Sequence, residues 1–277
     1  MKIKHLIIIF LAITAAAACT ESELPPPKNI VYNGFGEISY VGDDGYFEIT
    51  RDDGALLKVV EYNGSKTVSF GERVYFKYNI LSDDRYERTS REVHDPYAYE
   101  IKVIVFNDIY SAPLLRKSFL QEDSPHRDDS IGHDLVMVTS AAFSGDYINI
   151  GIEYFRVPDG KPHMINLVWD DTRHPLDSVY LELRHNAMGE LSTEGANIIA
   201  ETGLLSFKLS NLIPQERESI NVKLKSNMTR KDGVGEYIEA DTYYTGTFNP
   251  HLGTKSFIVG NEFNQPGDRN YDMNFIR

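Results

Sequence analysis

The chain has 277 residues, room for one or two domains with sizeable cores, and its 41 acidic against 28 basic side chains give a formal net charge of −13. A surface this acidic repels polyanions such as DNA or an acidic lipid surface, which excludes nucleic acid as a natural ligand. One cysteine in the whole chain excludes disulfides, so stability must come from apolar burial, and 17 tyrosines and 14 phenylalanines against one tryptophan supply bulk suited to sheets.

Residues 1–18 read as an export leader, with Lys2 and Lys4 at its start and an apolar run from Leu6 to Ala18 broken only by Thr14. That run is 13 residues long, whereas a helix needs about 20 to span a bilayer. The small residues Ala16, Ala17 and Ala18 followed by Cys19 resemble the lipobox of bacterial lipoproteins, in which the leader is cut off and the cysteine acylated. Two or more acyl chains, at roughly 0.8 kcal/mol per buried methylene, suffice for stable attachment. Cys19 is therefore expected to be the membrane anchor. Glu21 and Glu23 resemble the acidic signal that Bacteroidetes place after that cysteine for export to the outer leaflet. Residues 19–29, ending in "LPPPKN", read as an extended tether.

From Ile30 the pattern is short alternating runs punctuated by Gly42-Asp43-Asp44-Gly45, Asp52-Asp53-Gly54, Asn63-Gly64 and Gly71, the rhythm of hairpins. In "RVYFKYNIL" Val74, Phe76, Tyr78 and Ile80 share one face, and "YEIKVIVFNDI" reads as a further strand, closing a small OB-like barrel over 30–122. The polar stretch "QEDSPHRDDSIGHD" at 121–134 marks a domain boundary. Seven runs follow ("LVMVTSAAF", "YINIGIEYF", "MINLVWD", "SVYLELRHN", "GLLSFKLSNL", "SINVKLKS" and "EYIEADTYYTG"), and they predict an antiparallel β-sandwich over 130–248. Residues 249–277 read as an irregular tail packed on the sandwich through Phe257, Ile258 and Phe275. The fold class expected is all-β.

In the order "GYFEITRDDGALLKV", "GERVYFKYNIL", "GDYINIGIEYF", "KPHMINLVWDD" and "VYLELRHNAMGE", and together with the lipobox, the chain resembles the NigD-like lipoproteins of Bacteroidales over roughly residues 1–225. The resemblance implies an N-terminal OB-like domain and a C-terminal β-sandwich. It also implies a family for which a role in bacteriocin immunity has been supposed, most members being of unknown function, with no established catalytic residues. His163, Asn166, Arg184, His185 and Asn186 fall in the matching segments without an assigned role, and Glu190 stands where the pattern has Asp.

Three groups of side chains offer chemistry. His163, His174 and His185 recur every 11 residues, but no close pair such as H-x-x-x-H accompanies them. His185 shares its strand side with Val179, Leu181 and Leu183, so a buried imidazole bonded to backbone is expected, with Arg184 pointing outward or meeting a carboxylate. The run from His126 to Asp134 places His126, Asp128, Asp129 and His133 close together, a weak candidate for a divalent cation that reads first as a solvated linker. Acidic pairs such as Asp170 and Asp171 are too common here to single out a glycosidase. Serine elbows, phosphate loops and dinucleotide fingerprints are absent from the sequence. No catalytic residue, resident metal or cofactor is assigned, and the chain is read as non-enzymatic. Tyr32, Tyr40, Tyr46, Tyr62 and Tyr75 offer a stacking platform for sugar rings or a partner protein, or simply core and rim.

The expected function is a lipid-anchored outer-membrane lipoprotein, facing the cell surface, that binds a protein or glycan partner, with bacteriocin immunity as one version. The alternative is an enzyme or metal-dependent site at the junction of the two domains, built on His126 and His133.

Overall fold

The computed structural model describes residues 30–43, 45–83, 98–122, 126–173, 178–192, 197–212, 218–230 and 236–249. Strands β1 (Tyr32–Val41), β2 (Phe47–Arg51), β3 (Leu56–Tyr62), β4 (Arg73–Asp83) and β5 (Ala98–Asp108) close into a barrel in the order β1-β2-β3-β5-β4. Alternation decides which side chains enter it: Ile38, Phe47, Ile49, Leu57, Val59, Val74, Phe76, Tyr78, Ile101 and Val103 fill the interior. Hairpin neighbours pair antiparallel, while β3 and β5 run parallel and close the cylinder, which leaves the unit without a free edge.

Nine further strands form a sandwich. One sheet has the order β6-β12-β9-β8, from β6 (Tyr110–Ser111), β12 (Ile199–Lys208), β9 (Tyr147–Arg156) and β8 (Val136–Ser144). The other runs β14-β13-β11-β10-β7, from β14 (Tyr237–Phe248), β13 (Ile220–Arg230), β11 (Ser178–Asn186), β10 (Met164–Trp169) and β7 (Leu115–Arg116). Val138, Ile148, Ile150, Ile152, Leu167, Leu181, Leu183, Leu205, Phe207, Val222, Leu224 and Phe248 interdigitate between the sheets. All seven predicted runs appear as strands, and the all-β reading is borne out.

Three expectations need correction. The sandwich is mixed, because β11 pairs parallel with β13, β10 with β7 and β12 with β6. It also begins well before residue 122: β6 and β7 leave the barrel strand β5 and dock at once on the outer strands of the two sheets, whose backbone groups would otherwise lack partners. Bridges of two residues carry no period that a sequence could show. The polar stretch after them contains two short helices, α1 (Lys117–Gln121) and α2 (His126–Ser130), where Leu120 and Ile131 pack on Val168 of β10. So small an apolar set is too sparse for a helical stripe.

Barrel and sandwich are joined by buried polar contacts. Arg73, the first residue of β4, pairs through both terminal nitrogens with Asp52, donates its Nε–H to Ser206 Oγ at 3.0 Å and reaches Asn149 Oδ1 at 3.3 Å. Its guanidinium lies 3.9 Å from the centroid of the Tyr147 ring, and Tyr147 donates to Glu37 Oε2 at 3.0 Å. Burial and that carboxylate push the Tyr147 phenol up to about 12. Gly145, between β8 and β9, has φ +52°, and a β-carbon there would stand 2.5 Å from the Asp52 carbonyl oxygen, so only glycine lets the two units approach this closely.

Candidate functional site

Near the end of β9 away from the barrel, seven residues beyond Tyr147, the strand has run about 23 Å. There Tyr154 packs against two imidazole rings, His163 at 5.6 Å and His185 at 5.3 Å between centroids. His163 precedes β10 and His185 sits near the end of β11, so the antiparallel pairing of those strands brings together two residues 22 apart in the chain. His163 Nδ1 stands 2.8 Å from His185 Nε2, and His163 Nε2 stands 3.0 Å from Glu190 Oε2.

Counting protons fixes the roles. His185 Nδ1 lies 3.0 Å from the Leu135 carbonyl, which can only accept, so that nitrogen carries the hydrogen. The neutral ring then presents a bare Nε2, to which His163 Nδ1–H donates. Between His163 Nε2 and Glu190 one further proton is shared. Glu190 is held below the ordinary carboxylate range first by the backbone N–H of Lys161 and then by His163. Burial, with the charge of His163 adding to it and the Leu135 carbonyl opposing, lowers His185 from 6.5 to about 4. The side chains of His163 and His185 are almost wholly enclosed, so this row of proton-sharing groups ties the loop before β10 to the "HNAMGE" turn rather than meeting a solute.

Arg184 points out of the sandwich, opposite Asn166 of β10, yet only 6% of it is exposed because the α1–α2 segment covers it. Its Nε–H donates to the Gly132 carbonyl at 2.8 Å, Nη1 to Asp128 Oδ1 at 3.2 Å, and Nη2 to His133 Nε2 and the Asp128 carbonyl. Gly132 adopts φ +72°, and a β-carbon there would come within 2.5 Å of the His185 carbonyl oxygen, so only glycine seats this segment. Asn186 adds a bond to Ser130 O at 2.7 Å, and the Ala187 N–H one to Asp134 Oδ2 at 2.6 Å. Lys117 and Ser118 fasten the front of α1 to Asp170 and Asp171 at 2.9 and 2.8 Å. Burial opposes ionisation of both aspartates, but these hydrogen bonds outweigh it and hold them below the usual carboxylate range, so neither is a proton donor near neutrality.

Between the helices and the sheet a cleft of about 430 Å³ remains, lined by Lys117, Leu120, Asp128, His133, Glu182 and Arg184 among others. Of the four weak cation candidates, Asp128 and His133 meet at 3.4 Å, with the Arg184 guanidinium bonded to both, a cation already seated between them. His126 and Asp129 are exposed. No group of three potential metal-ligating side chains is present among the described residues. This set lies by the far end of β11, against the Gly132–His185 contact, and not at the barrel–sandwich junction where the alternative reading put it.

The five tyrosines divide. Tyr32 stacks on Tyr78 at 5.6 Å, Tyr62 packs against Phe47 and Phe106, Tyr75 meets Phe35, and Tyr40 and Tyr46 pair at 5.7 Å, so they form separate contacts and no single platform. Cys19, Glu21, Glu23, His174, Phe257, Ile258 and Phe275 lie outside the described residues. Reading the sequence placed His185 correctly from alternation alone. It missed Arg73 and Asp52, and the only local signal for them was a charge at the first position of a strand and another in a turn.

Residues 118–239 match the sequence profile of the NigD-like C-terminal beta sandwich domain. Among solved structures the chain is similar to a protein provisionally described as toxin-related from Parabacteroides distasonis (TM-score 0.56, 19% identity, covering 80% of this chain and 94% of that one). It is also similar to a NigD-like immunity protein from Bacteroides caccae (0.52, 22%, 77% and 94%). A third match is a protein provisionally described as a lipoprotein from Bacteroides fragilis (0.52, 13%, 80% and 98%). At these identities the likeness is one of fold. No curated protein matches the chain.

Proposed function

We propose that this chain, a NigD-like protein by its sandwich domain, is a non-enzymatic lipoprotein anchored through acylated Cys19 in the outer membrane, facing the cell surface, where it binds a protein or glycan partner. The observation that carries the reading is the buried Arg73, braced by Asp52 within the barrel and bonded across to Ser206 and Asn149, which joins barrel and sandwich behind a tether, a shape suited to presenting a surface. The chemistry-bearing side chains support it, since His163, His185, Glu190, Arg184, Asp170 and Asp171 are all engaged in holding strands, turn and helices together. Solved relatives named for immunity, toxin and lipoprotein roles point the same way, and inhibition of a bacteriocin is one form such binding takes. The test is to offer the purified mature chain to glycan arrays and to outer-membrane extracts. Specific, saturable capture is expected; turnover of a substrate without capture contradicts the proposal.

A further inference from the structure

The outer wall of the barrel beside the chain entry carries four exposed aliphatic residues: Ile30 (45% exposed), Val31 (54%), Val60 (47%) and Ile104 (49%). Strand register sets them along one run of neighbouring strands, β1, β4, β5 and β3. Tyr32 pairs with Tyr78, so Val31 falls beside Asn79, whose Nδ2 donates to the Ile30 carbonyl at 2.9 Å. Asn79 pairs with Lys102, and Lys102 with Glu61. Val60 is the extra residue where the β3–β5 register shifts between Val59 and Glu61, and Ile104 the extra one where β4–β5 shifts between Lys77 and Tyr78. Both bulges thus turn an aliphatic side chain outward on a wall whose polar neighbours are Lys77 and the Lys102–Glu61 ion pair at 2.8 Å.

We propose that this wall of β3, β5 and the end of β4 rests on the lipid surface, with Val60, Ile104 and Val31 dipping into the headgroup region and Lys77 meeting lipid phosphates. The argument is the position of the anchor: eleven residues run from Cys19 to Asn29, a reach of about 34 Å if extended, and they deliver the chain at Ile30, against this wall. The opposite end of the same strands, at Arg73 and Glu37, holds the sandwich, which leaves the entry wall uncovered. Exposed aliphatics beside a lysine suit an interfacial surface. This inference rests on the reading of Cys19 as the anchor.

The test couples the Cys19 thiol of the mature chain to a maleimide lipid in vesicles of phosphatidylethanolamine and phosphatidylglycerol and follows amide hydrogen exchange. Coupling supplies the anchor whether or not cells acylate Cys19, so docking and acylation fail separately; the latter is read by incorporation of labelled palmitate in cells. Exchange in 58–62 and 102–106 is expected to slow on vesicles relative to the uncoupled chain, and to recover its solution rate in the Val60→Asp/Ile104→Asp variant, whose β8–β9 exchange stays unchanged as the control for folding. The proposal is overturned by unchanged exchange on vesicles, by slowing at 38–41 and 69–71 instead, or by slowing in the uncoupled chain that grows with protein concentration, which would mark the wall as a contact with a second copy.

Discussion

Acid should unfold this protein through one buried imidazole. His185 is fully enclosed, and burial lowers it from 6.5 to about 4. In the unfolded chain the ring takes up a proton as pH falls through 6.5; in the folded chain it does not until about pH 4. Over that window unfolding binds one extra proton, so the stability that this ring confers is fully present above pH 6.5 and is lost as pH falls toward 4. At about 1.4 kcal/mol per pH unit for one proton, the loss across the window is roughly 3 kcal/mol, a large share of the 5–15 kcal/mol that typically holds a fold together. Urea titrations at half-unit steps from pH 7.5 to 4.5 measure it directly. His185→Asn keeps a donor toward the Leu135 carbonyl and cannot titrate: it should be less stable at every pH, and its slope between pH 6.5 and 5 should be shallower than the wild type's by about 1.4 kcal/mol per unit. Equal slopes in the two proteins would refute the assignment of a neutral, enclosed His185.

Replacing Arg73 with Met strands Asp52 inside the junction, and loss of one partner from a buried pair costs about 3–5 kcal/mol; calorimetry should show a lower Tm and separate transitions for barrel and sandwich. Glu190→Ala releases the Lys161 N–H and His163 together, so proteolysis within 157–163 should accelerate, whereas Glu190→Gln, which keeps an acceptor for Lys161 and can donate to His163, should stay close to wild type. Arg184→Ala removes the ties to Gly132, Asp128 and His133, and cleavage within 117–134 should become faster at neutral pH while the sandwich core keeps its slow amide exchange. Gly132→Ala should be worse tolerated than an ordinary surface change, by about 1 kcal/mol or more, because both φ and the His185 backbone forbid the added carbon.

The strands were legible in the sequence because each is long enough to alternate and is closed by a turn signal, as "RVYFKYNIL" and "SVYLELRHN" show. The placement of His185 followed from the same alternation. What escaped reading depends on partners far along the chain. β6 and β7 are two residues each, and only the sheets beside them define them. Arg184 looked outward and is outward, but nothing local says that residues 126–134 return to cover it. The junction joins Asp52, Arg73, Asn149 and Ser206 across up to 133 positions, and no short-range pattern can encode such a meeting. His163 and His185 carried a numerical spacing that, without a close pair, assigned them no role, and it is the β10–β11 register that sets them face to face in a hydrogen bond.

What this protein can meet depends on its anchoring at the cell surface, and protease shaving of intact cells tests that anchoring directly. The wild-type protein should be cleaved from outside; Cys19→Ala should be released from the membrane fraction, and replacement of Glu21 and Glu23 by alanine should leave the protein anchored and protected. Wild-type protein that stays protected on intact cells, or a Cys19→Ala chain that remains in the membrane fraction, would contradict it.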